Sequence, residues 1–212
     1  MNQHQHIFMP KDHMEELYSS KNGLVKFVHN NRLDNIVNVF SKLKIKNANV
    51  IDAGCGEGHL LEKLQKVKKD NKYYGIDVIP SAINQAKKRC PFANIEMGDI
   101  YEIRYPNEFF DVVVCTEVLE HIFDFKLALK EMERILKPNG VLIITFPNEV
   151  LWTISRFFLG RRPIKVPDHV NSFSPDDIRR NLDIGAVAEK GLPFGMPFLI
   201  SLGYLMVFKK QG

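Results

Sequence analysis

With 212 residues, 45% of them hydrophobic and 25% charged, the chain can bury one full core and is too short for a second sizeable domain. A formal net charge of +4 allows an acidic or phosphorylated partner but does not amount to the clustered basic surface of a dedicated nucleic-acid binder. No run reaches the roughly 18 apolar residues that span a bilayer, and the opening MNQHQHIFMP lacks the basic-then-apolar pattern of an export signal. The cysteines Cys55, Cys90 and Cys115 are odd in number and scattered, so the expectation is a cytoplasmic protein with reduced thiols.

In chain order, His4, His6 and His13 sit in a terminus without an ordered scaffold and receive no ligand role. From Gly23 to Leu43, Leu24, Phe27, Val28, Leu33, Ile36, Val37, Val39, Phe40 and Leu43 recur at helical spacing, predicting one or two helices beside a cleft. Val50 to Leu61 reads VIDAGCGEGHLL: an apolar strand ending at Asp52, a sharp turn at Gly54, Gly56 and Gly58, and a helix start. Glycines let backbone amides and a helix N-terminus approach a ligand that side chains would block. His59 stands where a dinucleotide loop would carry a further glycine, which tilts the reading away from NAD.

An amphipathic stretch from His59 to Val67 leads into KYYGID, which ends at Asp77, 25 residues beyond Asp52. A carboxylate there can accept both hydroxyls of a ribose through charge-assisted bonds. The competing use is capping the helix that begins near Pro80, but the distance from the glycine loop favours ribose. NIEMGDI follows, with Gly98, Asp99 and Ile100 reading as a turn when taken alone.

FFDVVVCTEVLEHI, Phe109 to Ile122, predicts a buried strand and a helix start, and LKPNGVLIITFPN, Leu136 to Asn148, a turn and another strand. Both runs are short, β-branched and bounded by turn residues, the signature of doubly covered parallel strands. Between them FKLALKEMERIL predicts a helix with Leu127, Met132 and Ile135 inward, stopped by Lys137-Pro138-Asn139-Gly140. LWTISRFFLGRRPIKVP then brings Leu151, Trp152, Ile154, Phe157, Phe158 and Leu159, followed by Arg161, Arg162 and Lys165. This insert, 149–166, has an apolar face and a basic edge, and packing on its own domain is favoured over a membrane surface. Ser174-Pro175-Asp176-Asp177 starts a helix expected to run to about Leu182, and AVAEKGLPFG and FLISLGYLMVF supply two last strand-like runs.

The D-x-G-x-G-x-G run from Asp52 to Gly58, Asp77, Gly98-Asp99-Ile100 and the two later strands together resemble the class I S-adenosylmethionine (SAM)-dependent methyltransferases. The likeness spans about Val50 to Asn148 and is closest to ubiquinone-biosynthesis and RNA-terminal O-methyltransferases, which carry E-x-x-E-H after the fourth strand. It implies an α/β, Rossmann-like, doubly wound seven-stranded sheet, mostly parallel, in the order 3-2-1-4-5-7-6, with the last strand antiparallel and helices on both faces. It further implies a single domain over 1–212: an N-terminal helical lid (1–46), a SAM-binding core (47–148), and a substrate-side insert with the C-terminal strands (149–212). Tyr18 and Phe27 of the lid are placed to touch substrate, although Phe27 suits core packing better.

By the same resemblance SAM is the cofactor. Gly54, Cys55, Gly56 and Gly58 form its loop, and Asp52 orders that loop or the amino group. Asp77 and Val78 meet the ribose, Asp99 and Ile100 the adenine, and Cys115 and Thr116 the methionine moiety. Residues after the fourth strand lie beside the methyl group, so Glu117, Glu120 and His121, with His169 from PDHVNSF, are the candidates for substrate chemistry. In one reading all four bind a divalent metal ion, manganese, cobalt, iron or zinc in preference to magnesium, that acidifies a substrate hydroxyl. In the other there is no metal, His121 or His169 is a general base, and the glutamates serve the helix dipole; the second is slightly favoured.

The expected activity is methyl transfer to an oxygen of a small-molecule or lipid-linked metabolite, without stable membrane insertion. The alternatives are an RNA 2′-O-methyltransferase gripping phosphates through Arg161, Arg162 and Lys165, with steep salt dependence, and a non-catalytic SAM-binding module. The Glu120-His121 pair argues against the last, and an NAD enzyme ranks lowest.

Overall fold

A computed structural model of the chain describes residues 23–158, 169–192, 198 and 201–212. Tyr18, Arg161, Arg162 and Lys165 lie outside the described residues, as does the side chain of Phe27. Helix α1 (Gly23–Lys42) leads to strand β1 (Asn49–Ala53), α2 (His59–Val67), β2 (Lys72–Asp77), α3 (Pro80–Arg89), β3 (Asn94–Met97) and β4 (Phe110–Thr116). A 3₁₀ turn (Leu119–His121) precedes α4 (Phe125–Ile135), β5 (Leu136–Pro147), α5 (Glu149–Phe158), α6 (Pro175–Arg180), β6 (Gly185–Leu192) and β7 (Gly203–Lys209).

The strands form one seven-stranded sheet in the order β3-β2-β1-β4-β5-β7-β6. Pairs from β3 across to β5 are parallel, and β7 lies antiparallel between β5 and β6. This is the topology the resemblance implied. The near-continuous apolar runs arise because both faces are covered. Along β4, Val112 and Val114 pack with Leu33, Ile36 and Phe40 of α1 and Leu61 and Leu64 of α2. Val113 and Cys115 face Ala128, Leu129, Met132 and Ile135 of α4 and Ile178 of α6. Phe40, Phe110, Phe146 and Phe208 are fully buried, and each such side chain contributes about 1.5–3 kcal/mol of transfer free energy. Among the described residues no helix is long and apolar enough to cross a membrane.

Several elements differ from their expected form. Leu127 is exposed in the first turn of α4, where its amide is capped by Asp124 Oδ1, and Ala128 and Leu129 are the buried residues of that turn instead. The helix stops at Ile135 because Leu136 pairs with Phe110 as the first strand residue, and Lys137 to Gly140 bulge out of the ladder before Val141 rejoins it at Val112. Helix α6 ends at Arg180, with Leu182 buried beyond it. Strand β7 begins only at Gly203, since Ser201 Oγ bonds the carbonyls of Phe198 and Gly203 in a turn.

The order of strands reverses between β1 and β4. In a doubly wound sheet the crevice beyond the strand C-termini at that point receives the ligand, and the loops after β1, β2 and β4 converge there.

Candidate active site

At the cofactor end, Gly54, Gly56 and Gly58 adopt φ of 85°, 51° and 81°. A Cβ on Gly54 would stand 2.3 Å from Val118 Cγ2, and one on Gly58 3.0 Å from Cys90 Sγ. Both glycines are therefore required by backbone sign and by protein packing, before any ligand is considered. Gly54 and Cys55 both donate their amides to the Ile76 carbonyl at 2.9 Å, Gly56 donates to Asp77 Oδ2 at 2.8 Å, and Gly58 donates to the Cys55 carbonyl at 2.9 Å. These amides are committed to the protein, so the loop admits a ligand chiefly by lacking side chains.

Asp77 Oδ1 also accepts from the Ile79 amide at 2.9 Å, at the entry to α3. The carboxylate thus ties the loop to the helix. Val78 is half-buried beside it. Asp99 Oδ1 accepts from the Tyr101 amide at 2.9 Å, the turn role its sequence suggests, with Ile100 buried next to it.

Asp52 is 2% exposed and its Oδ1 has no partner among the described residues. Burial, and then the nearby Asp77 charge, push its carboxyl well above the usual range. Thr116 Oγ1 and Thr145 Oγ1, on neighbouring strand ends, are also buried without partners among the described residues. Orphaned acceptors at the ends of β1, β4 and β5 fit the polar aminoacyl end of SAM, which offers an ammonium where Asp52 lacks a donor. Cys55 and Cys115 are buried, and burial drives both thiols up, so they line structure and carry no nucleophile. Cys115 lies wholly within the core.

At the opposite side of the crevice, Glu117 has φ 52° and donates its amide to the Thr145 carbonyl. Its carboxylate is paired at 2.5 Å with Arg32 of α1, a nearly buried guanidinium. The 3₁₀ turn then directs Leu119 and Glu120 inward. Glu120 is 1% exposed and neither carboxylate oxygen has a partner among the described residues. Burial, reinforced by Glu117, raises its pKa well above the ordinary value.

The Glu120 carbonyl accepts from the Val170 and Asn171 amides at 2.9 and 3.2 Å, which brings His169 alongside. His169 and His121 rings lie 4.8 Å apart edge to face, and ligand atoms of Glu120, His121 and His169 all fall within 4.8 Å of one another. His169 Nδ1 is bonded to Glu149 Oε1 at 2.5 Å, so Nε2 is the ring nitrogen not engaged by that carboxylate.

The structure therefore gathers three of the four residues grouped from the sequence and turns Glu117 toward α1. The shared helical face expected of Glu117, Glu120 and His121 is absent, because positive φ at Glu117 and a 3₁₀ turn replace the α-helix. Arg32 and Glu149 were not singled out by the sequence reading. Arg32 carried one signal, a cation beside the buried Leu33 and Ile36, and Glu149 another, an acid in the first turn of a helix.

A family model described as a methyltransferase domain matches residues 44–166. The mitochondrial ubiquinone biosynthesis O-methyltransferase of Schizosaccharomyces pombe is 32% identical, covering 77% of this chain and 62% of that protein. A probable SAM-dependent methyltransferase of Mycolicibacterium smegmatis is 31% identical over 50% of this chain and 41% of its own length. The chain spans less than two thirds of these curated relatives. Among solved structures, the PH0226 protein of Pyrococcus horikoshii OT3 aligns with a TM-score of 0.75 at 18% identity, covering 97% of this chain and 100% of that one. Magnesium protoporphyrin IX methyltransferase from Synechocystis PCC 6803 with bound SAH gives 0.73 at 17%, covering 94% of each. At such identities these two establish the fold alone. The family match extends over more than half of the residues, on the strand order and glycine loop described above, and the chain belongs to the class I SAM-dependent methyltransferases.

Proposed function

We propose that the protein transfers the methyl group of SAM to a hydroxyl oxygen of a small or lipid-linked metabolite. The observation that carries this reading is the buried Glu120 carboxylate, without hydrogen-bond partners among the described residues and beside His121 and His169, at the mouth of the cofactor crevice. SAM, when bound, supplies a methyl group already activated by its sulfonium. What this chain must add is a place for the acceptor oxygen, exclusion of water, and a destination for the proton that oxygen loses.

Glu120, His121 and His169 fit a divalent cation: one carboxylate and two imidazoles suit manganese, iron, cobalt or zinc better than magnesium. An ion held there would lower the pKa of an acceptor hydroxyl. Glu149 fixes the His169 ring and tautomer from behind, as outer carboxylates do for metal-bound imidazoles. The same Glu149–His169 pair supports a metal-free reading in which His169 Nε2 takes the acceptor proton and Glu149 stabilises the resulting imidazolium.

Phe123 beside the cluster, and Val150, Ile154 and Phe157 of α5 just after Glu149, expose apolar side chains at this end, which supports an acceptor with an apolar portion. Names of relatives point the same way, since ubiquinone biosynthesis O-methyltransferases are among them. Incubation with labelled SAM and a metabolite extract, before and after chelation, tests the proposal. A labelled methyl ether is expected. Loss on chelation with recovery on manganese or zinc addition assigns the cluster to a metal, unchanged turnover assigns the proton to His169, and label on nitrogen, carbon or RNA overturns the acceptor class.

A further inference from the structure

The glycine loop is also held from its outer side. Arg89, the last residue of α3, donates from Nη1 to the Glu57 carbonyl at 2.6 Å and stands 3.8 Å from the Glu57 carboxylate, with its Nε 3.9 Å from Glu62. Cys90, the next residue, donates its thiol to the Gly58 carbonyl at 3.3 Å and occupies the space that a Cβ on Gly58 would need. Two consecutive loop carbonyls are thus gripped by two consecutive residues at the end of one helix. Asp77 holds the Gly56 amide from within.

A peptide unit is rigid, so fixing a carbonyl fixes the amide that shares its plane. The Glu57 carbonyl sets the Gly58 amide, and the Gly58 carbonyl sets the His59 amide at the start of α2. Glycines on either side of Glu57 leave this segment with more conformational freedom than ordinary residues would, so an external tether has something to restrain. Glu57 is itself 4% exposed, with His59 Nε2 3.2 Å from the carboxylate oxygen that faces Arg89. Burial and the Arg89 charge hold His59 down at about 4, so at neutral pH Arg89 is the charged one of these two groups against Glu57.

We propose that Arg89 is a positioning residue for cofactor binding, holding the glycine loop through the Glu57 carbonyl and carboxylate from the face opposite the ligand. The proposal rests on the reading that this loop holds SAM. It touches neither SAM nor acceptor, so its removal acts on cofactor affinity through the loop.

Titration calorimetry of the full chain with SAM and with S-adenosylhomocysteine tests it. Arg89→Ala should weaken both about tenfold, and Arg89→Lys, which keeps one donor but not the fork, should recover to within roughly threefold of the parent. Glu62→Gln, removing the exposed outer partner, should leave affinity unchanged. Affinity of Arg89→Ala within twofold of the parent, even with a lowered melting temperature, overturns the proposal. If the alanine variant fails to fold, Arg89→Gln and Arg89→Lys decide by the same criterion: weakened binding in the glutamine variant supports it, and parental binding in both overturns it. Asp77→Ala run in parallel separates the two levels: parental affinity there sinks the cofactor-loop reading itself, whereas loss there with none in Arg89→Ala sinks only the role of Arg89.

Discussion

The two sides of the crevice are built from different materials. On the cofactor side the decisive groups are backbone: positive-φ glycines, amides at Gly54, Cys55, Gly56 and Gly58 committed to protein acceptors, and carbonyls gripped by Arg89 and Cys90. On the acceptor side they are side chains from distant segments, among them a carboxylate buried without a partner among the described residues. The glycine loop of the first side has its backbone bonds in place before a ligand arrives, although Asp52 beneath it is also buried with one oxygen unpartnered among the described residues. The second carries an unfavourable burial that only a ligand, an ion or a proton relieves. Changes on the first side should therefore damage the fold, and some changes on the second should improve it.

The largest effect is expected at Gly54. Alanine at φ 85° costs about 1–2 kcal/mol in backbone strain, and its Cβ would meet Val118 at 2.3 Å. Together these should remove about 3 kcal/mol of stability in a urea titration. Combining Gly54→Ala with Val118→Ala should recover the steric part and leave the strain. A loss below about 1 kcal/mol for the single variant would show that the cofactor side is not the rigid partner in this comparison.

Glu120→Met is expected to act in the opposite direction. The replacement keeps an unbranched shape while removing a buried polar group that has no partner among the described residues, a change that is typically neutral or stabilising by about 1–3 kcal/mol. Chemical denaturation should show the gain, and a labelled-SAM assay should show methyl transfer falling at least about 100-fold, with SAM affinity intact. A destabilised variant would mean that Glu120 makes a stabilising contact in the folded state, and the contrast between the two sides would lose its basis.

The same contrast explains what was legible in the sequence. The glycine loop, the strands and the position of Asp77 are local or periodic features, written in contiguous residues by φ sign, β-branching and turn chemistry. Pairing of Arg32 with Glu117, and of Glu149 with His169, joins residues from separate elements whose approach depends on how α1 and α5 dock. No spacing rule encodes such pairs. E-x-x-E-H suggested one helical face because helices are the usual element after a parallel strand. The left-handed backbone at Glu117 that breaks the face carries no residue signature, since glutamate is uncommon there. Leu127 is a related case: its apolar character predicts an inward side chain, but it stands in the first turn of α4 beside the Asp124 cap, where it is exposed.

The smallest effect concerns the segment that delivers His169. Helix α6 opens with a capping box in which Ser174 Oγ accepts from the Asp177 amide at 3.3 Å and Asp177 Oδ2 accepts from the Ser174 amide at 2.8 Å. This anchors the chain five residues after His169. Ser174→Ala should cost about 1 kcal/mol at neutral pH, and looser delivery of His169 should lower turnover modestly without changing SAM affinity. The Ser174 amide, then its hydroxyl and Arg180, hold the Asp177 carboxyl down at about 2, against an ordinary value of 3.8. A pKa lowered by folding adds stability that is complete above the ordinary value and disappears as pH falls through the folded one. Since the alanine variant keeps the amide but loses the hydroxyl, the gap between it and the parent should hold steady from neutral pH to about 4 and narrow between about 4 and 2. A gap that stays constant to pH 2, measured by denaturation at several pH values, would mean the hydroxyl acts on the helix amide alone and leaves the Asp177 charge untouched.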